Sequence, residues 1–185
     1  LLLKGRDVSA LKRPDIVFSA NIEDAPKKAP KPSSKPTPIM VEQTQPQNLS
    51  LNLRTASGSQ SFKQGAAISL LASSNTSAYV YCYFVDTDNT VQRFFPNRFQ
   101  SDNFIPYGNS VTLPGNMPFD ITADVSGESI TCFATPKNVY HQLPNKIRAY
   151  DFETLSVKSV NEVREGFRAA SNGSLAEASL HIQVT

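Results

Sequence analysis

The chain has two cysteines, Cys82 and Cys132, which could form a disulfide or act as reactive thiols. Each falls on the apolar side of a segment with strand-like alternation, and they lie fifty positions apart. Inward-facing registers favour a disulfide, and closing a loop of that length stabilises a fold by about 4 kcal/mol in the chain-entropy model. The alternative is a pair of reduced cysteines packed in the core, where free cysteine is common. A disulfide would indicate an oxidising compartment.

Nucleophilic cysteine chemistry would require an accessible, acidified thiol beside a base. His141 and His181 are the two histidines of the chain. His181 lies opposite the apolar face of a predicted terminal strand, and His141 falls in a polar loop. We therefore expect no catalytic residues and no enzymatic activity. A cysteine hydrolase with one free thiol is kept as an alternative.

Patterns that bind metals or cofactors are equally sparse. The histidines and cysteines show no C-x-x-C or H-x-x-x-H spacing. Asp86, Asp88 and Asn89 resemble the opening of a calcium loop, but the glycine and the terminal glutamate of such a loop do not follow. A hairpin turn is the better interpretation. With no glycine-rich phosphate loop either, we expect neither a metal nor another cofactor.

Charge and hydropathy exclude two classes of protein. The 185 residues include 18 basic and 16 acidic side chains, for a formal charge of +2. A nucleic-acid binder normally carries a clustered basic face, so this near-neutral balance argues against one. No stretch approaches 18 consecutive apolar residues, so no transmembrane segment is predicted.

The first 48 residues differ from the rest in composition. Segment 26–38 reads PKKAPKPSSKPTP, and its lysines are Lys27, Lys28, Lys31 and Lys35. Proline removes amide donors and disfavours helix, so we predict an extended Pro/Lys-rich arm over residues 26–48. A spacer is the simpler interpretation, and an arm docked along a partner is the alternative. Within residues 1–25, the run 15–22 predicts one short strand, which would need the main domain or another chain to bury it.

Residues 49–185 show the alternating pattern and the turn signals of a β domain. In segment 78–85, Val80, Cys82 and Phe84 alternate with three tyrosines, so the two sets point to opposite faces of a strand. Asp86–Asn89 then provides a turn into a second strand that ends near residue 96. Further strands are predicted near 49–53, 66–72, 110–113, 117–122 and 129–135. Turns spaced about ten residues apart are typical of a sandwich or barrel.

One helix interrupts the strands. Ser159 and Glu162 fit a capping box, in which each side chain satisfies a free amide near the other. Apolar residues then recur at helical spacing up to Ala170, and Asn172-Gly173 can end the helix. The alternation of residues 180–184 predicts a final strand. We therefore predict a mainly β fold, an immunoglobulin-like β-sandwich with one C-terminal helix and a final strand, although the core tryptophan of immunoglobulin domains is missing.

Two features are candidates for binding. The tyrosine stripe offers rigid, amphipathic area that suits protein interfaces and sugar platforms, unless a second layer such as the C-terminal helix covers it. The run from 93 to 99 reads RFFPNRF and crowds arginines and aromatics at a strand end, with Phe94 and Phe95 expected on opposite faces. The candidate binding surface comprises Tyr79, Tyr81, Tyr83, Arg93, Phe94, Arg98 and Phe99.

Four segments together resemble a known family. They are Tyr79–Phe84, Arg93–Phe99, Val111–Pro114 and Glu128–Ala134, and the similarity covers about residues 49–140. The segments resemble a bacterial family of envelope-associated domains of unknown function. Such domains often lie C-terminal to other modules, including ones like the curli-secretion-channel lipoprotein. The resemblance implies a β-sandwich accessory domain in exported multidomain proteins, and it supplies no catalytic residues.

These observations favour a non-catalytic interaction module. We expect it to be exported, in the periplasm or on the periplasmic face of the outer membrane, and to dock through its arm and β-domain surface onto other protein subunits of a cell-envelope complex such as secretion or appendage machinery. The alternative is a glycan- or peptidoglycan-binding domain that uses the Tyr79/Tyr81/Tyr83 face.

Overall fold

The computed structural model describes the backbone of Leu2–Gly5 and the whole of residues 48–185. The predicted strand at 15–22 and the arm lysines Lys27, Lys28, Lys31 and Lys35 lie outside the described residues. The described chain is mainly β and sandwich-like, and a helix near the C-terminus is followed by the last strands, as predicted. Within the described residues, no helix has the length and apolar character needed to cross a bilayer.

Thirteen strands, one α-helix and a short 3-10 helix at Tyr140–Gln142 are the regular elements of the described part of the chain, and the strands and the α-helix are numbered in chain order. They are β1 (Leu2–Gly5), β2 (Leu51–Thr55), β3 (Ser61–Phe62), β4 (Ala67–Ile68), β5 (Leu70–Ser74), β6 (Ala78–Val85), β7 (Val91–Phe95), β8 (Phe104–Ile105), β9 (Ser110–Leu113), β10 (Phe119–Thr122), β11 (Ser129–Thr135), α1 (Val160–Ala170), β12 (Ala176–His181) and β13 (Gln183–Val184).

The largest sheet has the order β12-β11-β6-β7, with β8 joined to one end of β6. Two three-stranded sheets, β2-β5-β9 and β1-β10-β4, and a parallel pair of β13 with β3 complete the strand pairing. All seven residues of β11 are buried, and so are all of β6 except Tyr79. A strand that is buried on both faces sends alternate side chains into two separate cores.

The first core lies on the face of β6 that carries Val80, Cys82 and Phe84. These side chains pack with Leu70 of β5 and Leu113 of β9, and all five are at most 5% exposed. Side chains from two sheets thus interdigitate over this face, as in a sandwich.

The second core lies on the opposite face and explains the tyrosine stripe. Tyr81 and Tyr83 are fully buried, with Phe133 of β11, against Val163 and Phe167 of α1. The Tyr81 and Phe167 rings are 4.8 Å apart between centroids. The alternative that the C-terminal helix covers the stripe is therefore confirmed for Tyr81 and Tyr83, and these two residues cannot form an exposed binding face. Tyrosines at period two supply apolar area to a helix–sheet interface here.

The disulfide predicted between Cys82 and Cys132 is confirmed. The two residues lie directly opposite each other in the β6–β11 pairing, with their Cα atoms 4.1 Å apart. The bond therefore joins neighbouring strands at the middle of the large sheet rather than bridging two layers. Neither thiol is free, so the alternative of a cysteine hydrolase with one free thiol does not fit this structure.

Local signals at the turns are confirmed in part. The Asp86 side chain accepts amide hydrogen bonds from Asp88 and Thr90, at 2.9 and 2.8 Å, which makes the acidic run a hairpin turn. Ser159 is the N-cap of α1, but its hydroxyl makes no capping bond. The Glu162 carboxylate instead accepts the amide of Lys158, so the capping box itself is wrong.

The buried tyrosines give a matched pair of variants. The Tyr81 hydroxyl contacts the Asn138 side chain at 3.1 Å and accepts the buried amide of Val139 at 3.2 Å. The Tyr83 hydroxyl has no partner among the described residues, and burial raises the pKa of Tyr83. We expect Tyr81→Phe to lower the free energy of unfolding by about 1–3 kcal/mol and Tyr83→Phe to leave it unchanged or slightly raised, as measured by urea denaturation. Equal losses in the two variants would contradict this arrangement.

Candidate binding cleft

A bulge in β7 decides which residues of the predicted RFFPNRF run reach the surface. β7 pairs Phe95 with Cys82 and Arg93 with Tyr83, so Phe94 is an additional residue in the strand. Phe94 and Phe95 consequently both enter the first core. The expectation that they face opposite sides is wrong, and Phe94 cannot be part of a binding surface because it is fully buried.

Asn97 holds the corner that follows β7. It is only 5% exposed, and its side-chain amide donates to the Phe94 carbonyl. Its side-chain oxygen accepts the amides of Phe99 and Gln100 at 2.8 and 3.0 Å. Asparagine directly after proline is a turn signal, and the prediction that Pro96-Asn97 ends the strand is confirmed, because the strand stops at Phe95.

The corner presents Arg98 and Phe99 at the surface. The Arg98 guanidinium binds the Asp151 carboxylate, with Nε 3.0 Å from Oδ2, and the Arg98 amide also donates to Oδ2 at 3.0 Å. Phe99 is 41% exposed and lies against Phe119 and Phe152, with ring centroids 6.4 and 6.3 Å away. These contacts fix an exposed cation and an exposed aromatic side by side.

A cleft of about 350 Å³ opens beside this corner. Arg93 and Asn97 line it from β7 and the corner, while Tyr140, His141 and Asp151 line it from the segment that follows β11. The cleft therefore separates two parts of the chain that are distant in sequence. Its volume falls within the range usual for small-ligand sites, and several polar groups converge on it.

Arg93 is a nearly buried cation that forms no ion pair with a carboxylate of the described residues. It is 7% exposed, donates to the carbonyls of Pro96 and of Ala149, and lies 4.9 Å from the centroid of the Tyr140 ring. Its Nε has no hydrogen-bond partner, and none of the ion pairs within the described residues involves it. Because Asp151 is already paired with Arg98, the two guanidinium groups outweigh the one carboxylate of the cleft.

Serine, histidine and aspartate side chains all line the cleft, which raises the question of a catalytic relay. Ser101, His141 and Asp151 would need consecutive hydrogen bonds to act as one. No such bond joins them in the described structure, and Asp151 is bonded to Arg98. In the described parts of the chain, no three His, Cys, Asp or Glu side chains cluster closely enough to hold a metal ion.

The ion pair with Arg98 lowers the pKa of Asp151. Partial burial alone would raise the pKa of the Asp151 carboxyl, but the hydrogen bonds from Arg98 outweigh that effect and hold the pKa below its usual range. Asp151 is therefore a carboxylate at neutral pH. Its side chain is 12% exposed, against 63% for Arg98, so the exposed part of the pair is the cation.

The candidate residues thus divide by position. Arg93 and Arg98 come together at the cleft, and Phe99 lies beside it on the same corner. Tyr79 is half-buried and lies 5.1 Å from Phe104 between ring centroids. Tyr81 borders the cleft although its side chain is fully buried. Sequence reasoning missed Tyr140 and Asp151, because no short motif links them to the strand that they face.

Fold and cleft together define a β-sandwich-like module with a covering helix and a cationic cleft at one strand end. Residues 61–138 match the model of a family described as a domain of unknown function (DUF4384). The expected resemblance to an uncharacterised domain family is confirmed to that extent. No curated protein and no solved structure matches the chain.

The Arg98–Asp151 pair predicts a change in titration. Without the guanidinium, burial is the main influence on Asp151, so Arg98→Gln should raise the pKa of its carboxyl. In the wild type the folded pKa lies below the unfolded value. The pair's contribution to stability is therefore present above the unfolded pKa of about 4 and is lost as pH falls through the folded pKa.

Carbon NMR of the Asp151 carboxyl over an acid titration measures this shift. Arg168→Gln is the matched control, since Arg168 is another exposed arginine, paired with Glu165 on α1. An unchanged Asp151 titration in Arg98→Gln would show that the pair does not set this pKa.

Proposed function

We propose that this chain is a non-catalytic protein-interaction module of an exported bacterial envelope assembly, such as secretion or appendage machinery. The observation that carries the proposal is the cationic cleft beside the exposed Arg98–Phe99 corner. An arginine and an aromatic ring held rigidly at the surface are the residue types enriched in protein interfaces.

The charge of the cleft favours an acidic segment of a neighbouring subunit. Arg93 is held by two carbonyls and the Tyr140 ring, none of which neutralises its charge. A buried or half-buried cation is stabilised by an anion, and a guanidinium binds carboxylates through two parallel hydrogen bonds. An aspartate or glutamate side chain that enters the cleft would supply the missing negative charge, while Phe99 packs against apolar atoms beside it.

Two observations support an exported location. The Cys82–Cys132 bond lies at the centre of the large sheet, and structural disulfides persist mainly in oxidising compartments such as the periplasm. The family resemblance of the sequence points to envelope proteins.

The Pro/Lys-rich arm is the second docking element of the proposal. Its four lysines and its prolines suit an extended segment that lies along an acidic surface. In this arrangement the β body and the arm contact different parts of the assembly. The glycan alternative loses the face that was predicted for it, because Tyr81 and Tyr83 are buried under α1.

Co-purification from envelope extracts tests the cleft. The full chain is recovered after mild crosslinking in three forms, namely wild type, Arg98→Glu/Phe99→Ser, and the matched control Arg168→Glu on α1. We expect the double variant to lose partner recovery several-fold and the control to retain it, with the thermal midpoints of the variants measured alongside. Equal recovery in all three forms would contradict the cleft as the docking surface.

Two further samples test whether the arm contributes to docking and whether the partner is a glycan. Replacing Lys27, Lys28, Lys31 and Lys35 by serine should reduce recovery of an arm-bound partner without changing the stability of the body. Wild-type protein incubated with protein-free peptidoglycan should stay in the supernatant. Retention on the cell wall would contradict a protein partner and favour a glycan.

A further inference from the structure

Strand β1 completes a sheet from far away in the chain. Leu2–Gly5 pairs antiparallel with β10 over four residues, with Lys4 opposite Asp120 and Leu3 opposite Ile121. The other edge of β10 is paired with β4 through Ile121 and Thr122. β1 therefore occupies a strand position at the edge of a three-stranded sheet.

β1 is far from β10 along the chain. Residues 6–47 intervene between β1 and the body, a length that can span on the order of 100 Å when extended. The ladder between β1 and β10 would be the same whether the strand came from the same chain or from a second copy. Exchange of an identical element between copies keeps every native contact and is a common route to dimers.

A strand that pairs with β10 also lies beside the first core. Phe119 and Ile121 of β10 are 5% and 0% exposed, so the strand lies over the first core. An edge strand without its neighbour exposes backbone donors and acceptors, which then pair with any suitable strand. Four residue pairs make a short ladder, so β1 can leave and return more readily than the longer strands of the large sheet.

We infer that two copies of this chain exchange β1 strands, each copy placing its Leu2–Gly5 on the β10 edge of the other. The partner of this edge is a second copy rather than a foreign peptide, because the chain itself carries the strand that fits and a connection long enough to reach. A strand tethered to its own body is present there at an effective concentration of about millimolar, and the strands of other copies compete with it for the same edge. Exchange is therefore favoured where copies are crowded together in an assembly. The inference rests on the strand pairing and holds whether or not the cleft binds an acidic partner.

Disulfide trapping between mixed copies tests exchange directly. Lys4→Cys and Asp120→Cys are placed in separate full-length chains, mixed at low and high concentration and oxidised mildly. A covalent heterodimer above the background of random collisions forms when β1 of one copy lies on β10 of the other. We expect its yield to rise with concentration and to exceed several-fold that of a control mixture of Lys4→Cys with Val125→Cys, since Val125 is 54% exposed and outside the β1–β10 register.

A single chain that carries both Lys4→Cys and Asp120→Cys shows whether β1 pairs with β10 within one chain when no heterodimer forms. An internal crosslink with heterodimer no more abundant than in the Val125 control would show that β1 stays on its own chain, which overturns the inference but leaves the proposed interaction module intact. Absence of the internal and the intermolecular crosslink would overturn the pairing itself. Native mass spectrometry of the unmodified protein should show the dimer at the concentrations at which the heterodimer forms.

Discussion

The pairing of β6 with β11 is the interaction on which the rest of the structure depends. These two strands form the middle of the large sheet, and Cys82 and Cys132 bond them at directly opposite positions. Because each strand is buried on both faces, the same backbone ladder supports two cores. A shift of one residue in this register would exchange the side chains of the two cores, so the bond also fixes which face receives the tyrosines.

The cleft is a consequence of this central pair. β7 continues the sheet from β6, and its bulge at Phe94 allows two phenylalanines to enter the first core while Arg93 lies beside Tyr140. Asn97 then turns the chain so that Arg98 and Phe99 come to the surface. A cation that is nearly buried at the end of a rigid sheet loses little conformational entropy on binding, which suits a docking site.

Strong local patterns in the sequence predicted much of the fold. The alternation in 78–85, the Asp86 turn and the amphipathic helix before the last strands follow from side-chain period and turn chemistry alone. The buried registers of Cys82 and Cys132 predicted their bond. The burial of Tyr81 and Tyr83 could not be predicted this way, because an alternating row of tyrosines has the same sequence pattern whether a helix covers it or it faces solvent.

The candidate site was less predictable, because it depends on contacts between distant segments. A single additional residue in β7 changed the faces of Phe94 and Phe95, and no residue type marks such a bulge in the sequence. The Arg98–Asp151 pair joins positions 53 residues apart. Strand β1 pairs with a segment more than a hundred positions away, and its short apolar start carries no turn signal that would point to β10.

The free energy of unfolding with and without the central bond tests this account most directly. Wild type and Cys82→Ala/Cys132→Ala are compared in urea, with far-ultraviolet circular dichroism following the sheets and near-ultraviolet signals following the buried tyrosines. We predict that loss of the bond lowers the free energy of unfolding by about 2–4 kcal/mol and that both signals change in one transition, because one strand pair supports both cores. An unchanged midpoint, or a tyrosine signal lost well before the sheet signal, would contradict the central role of this pair.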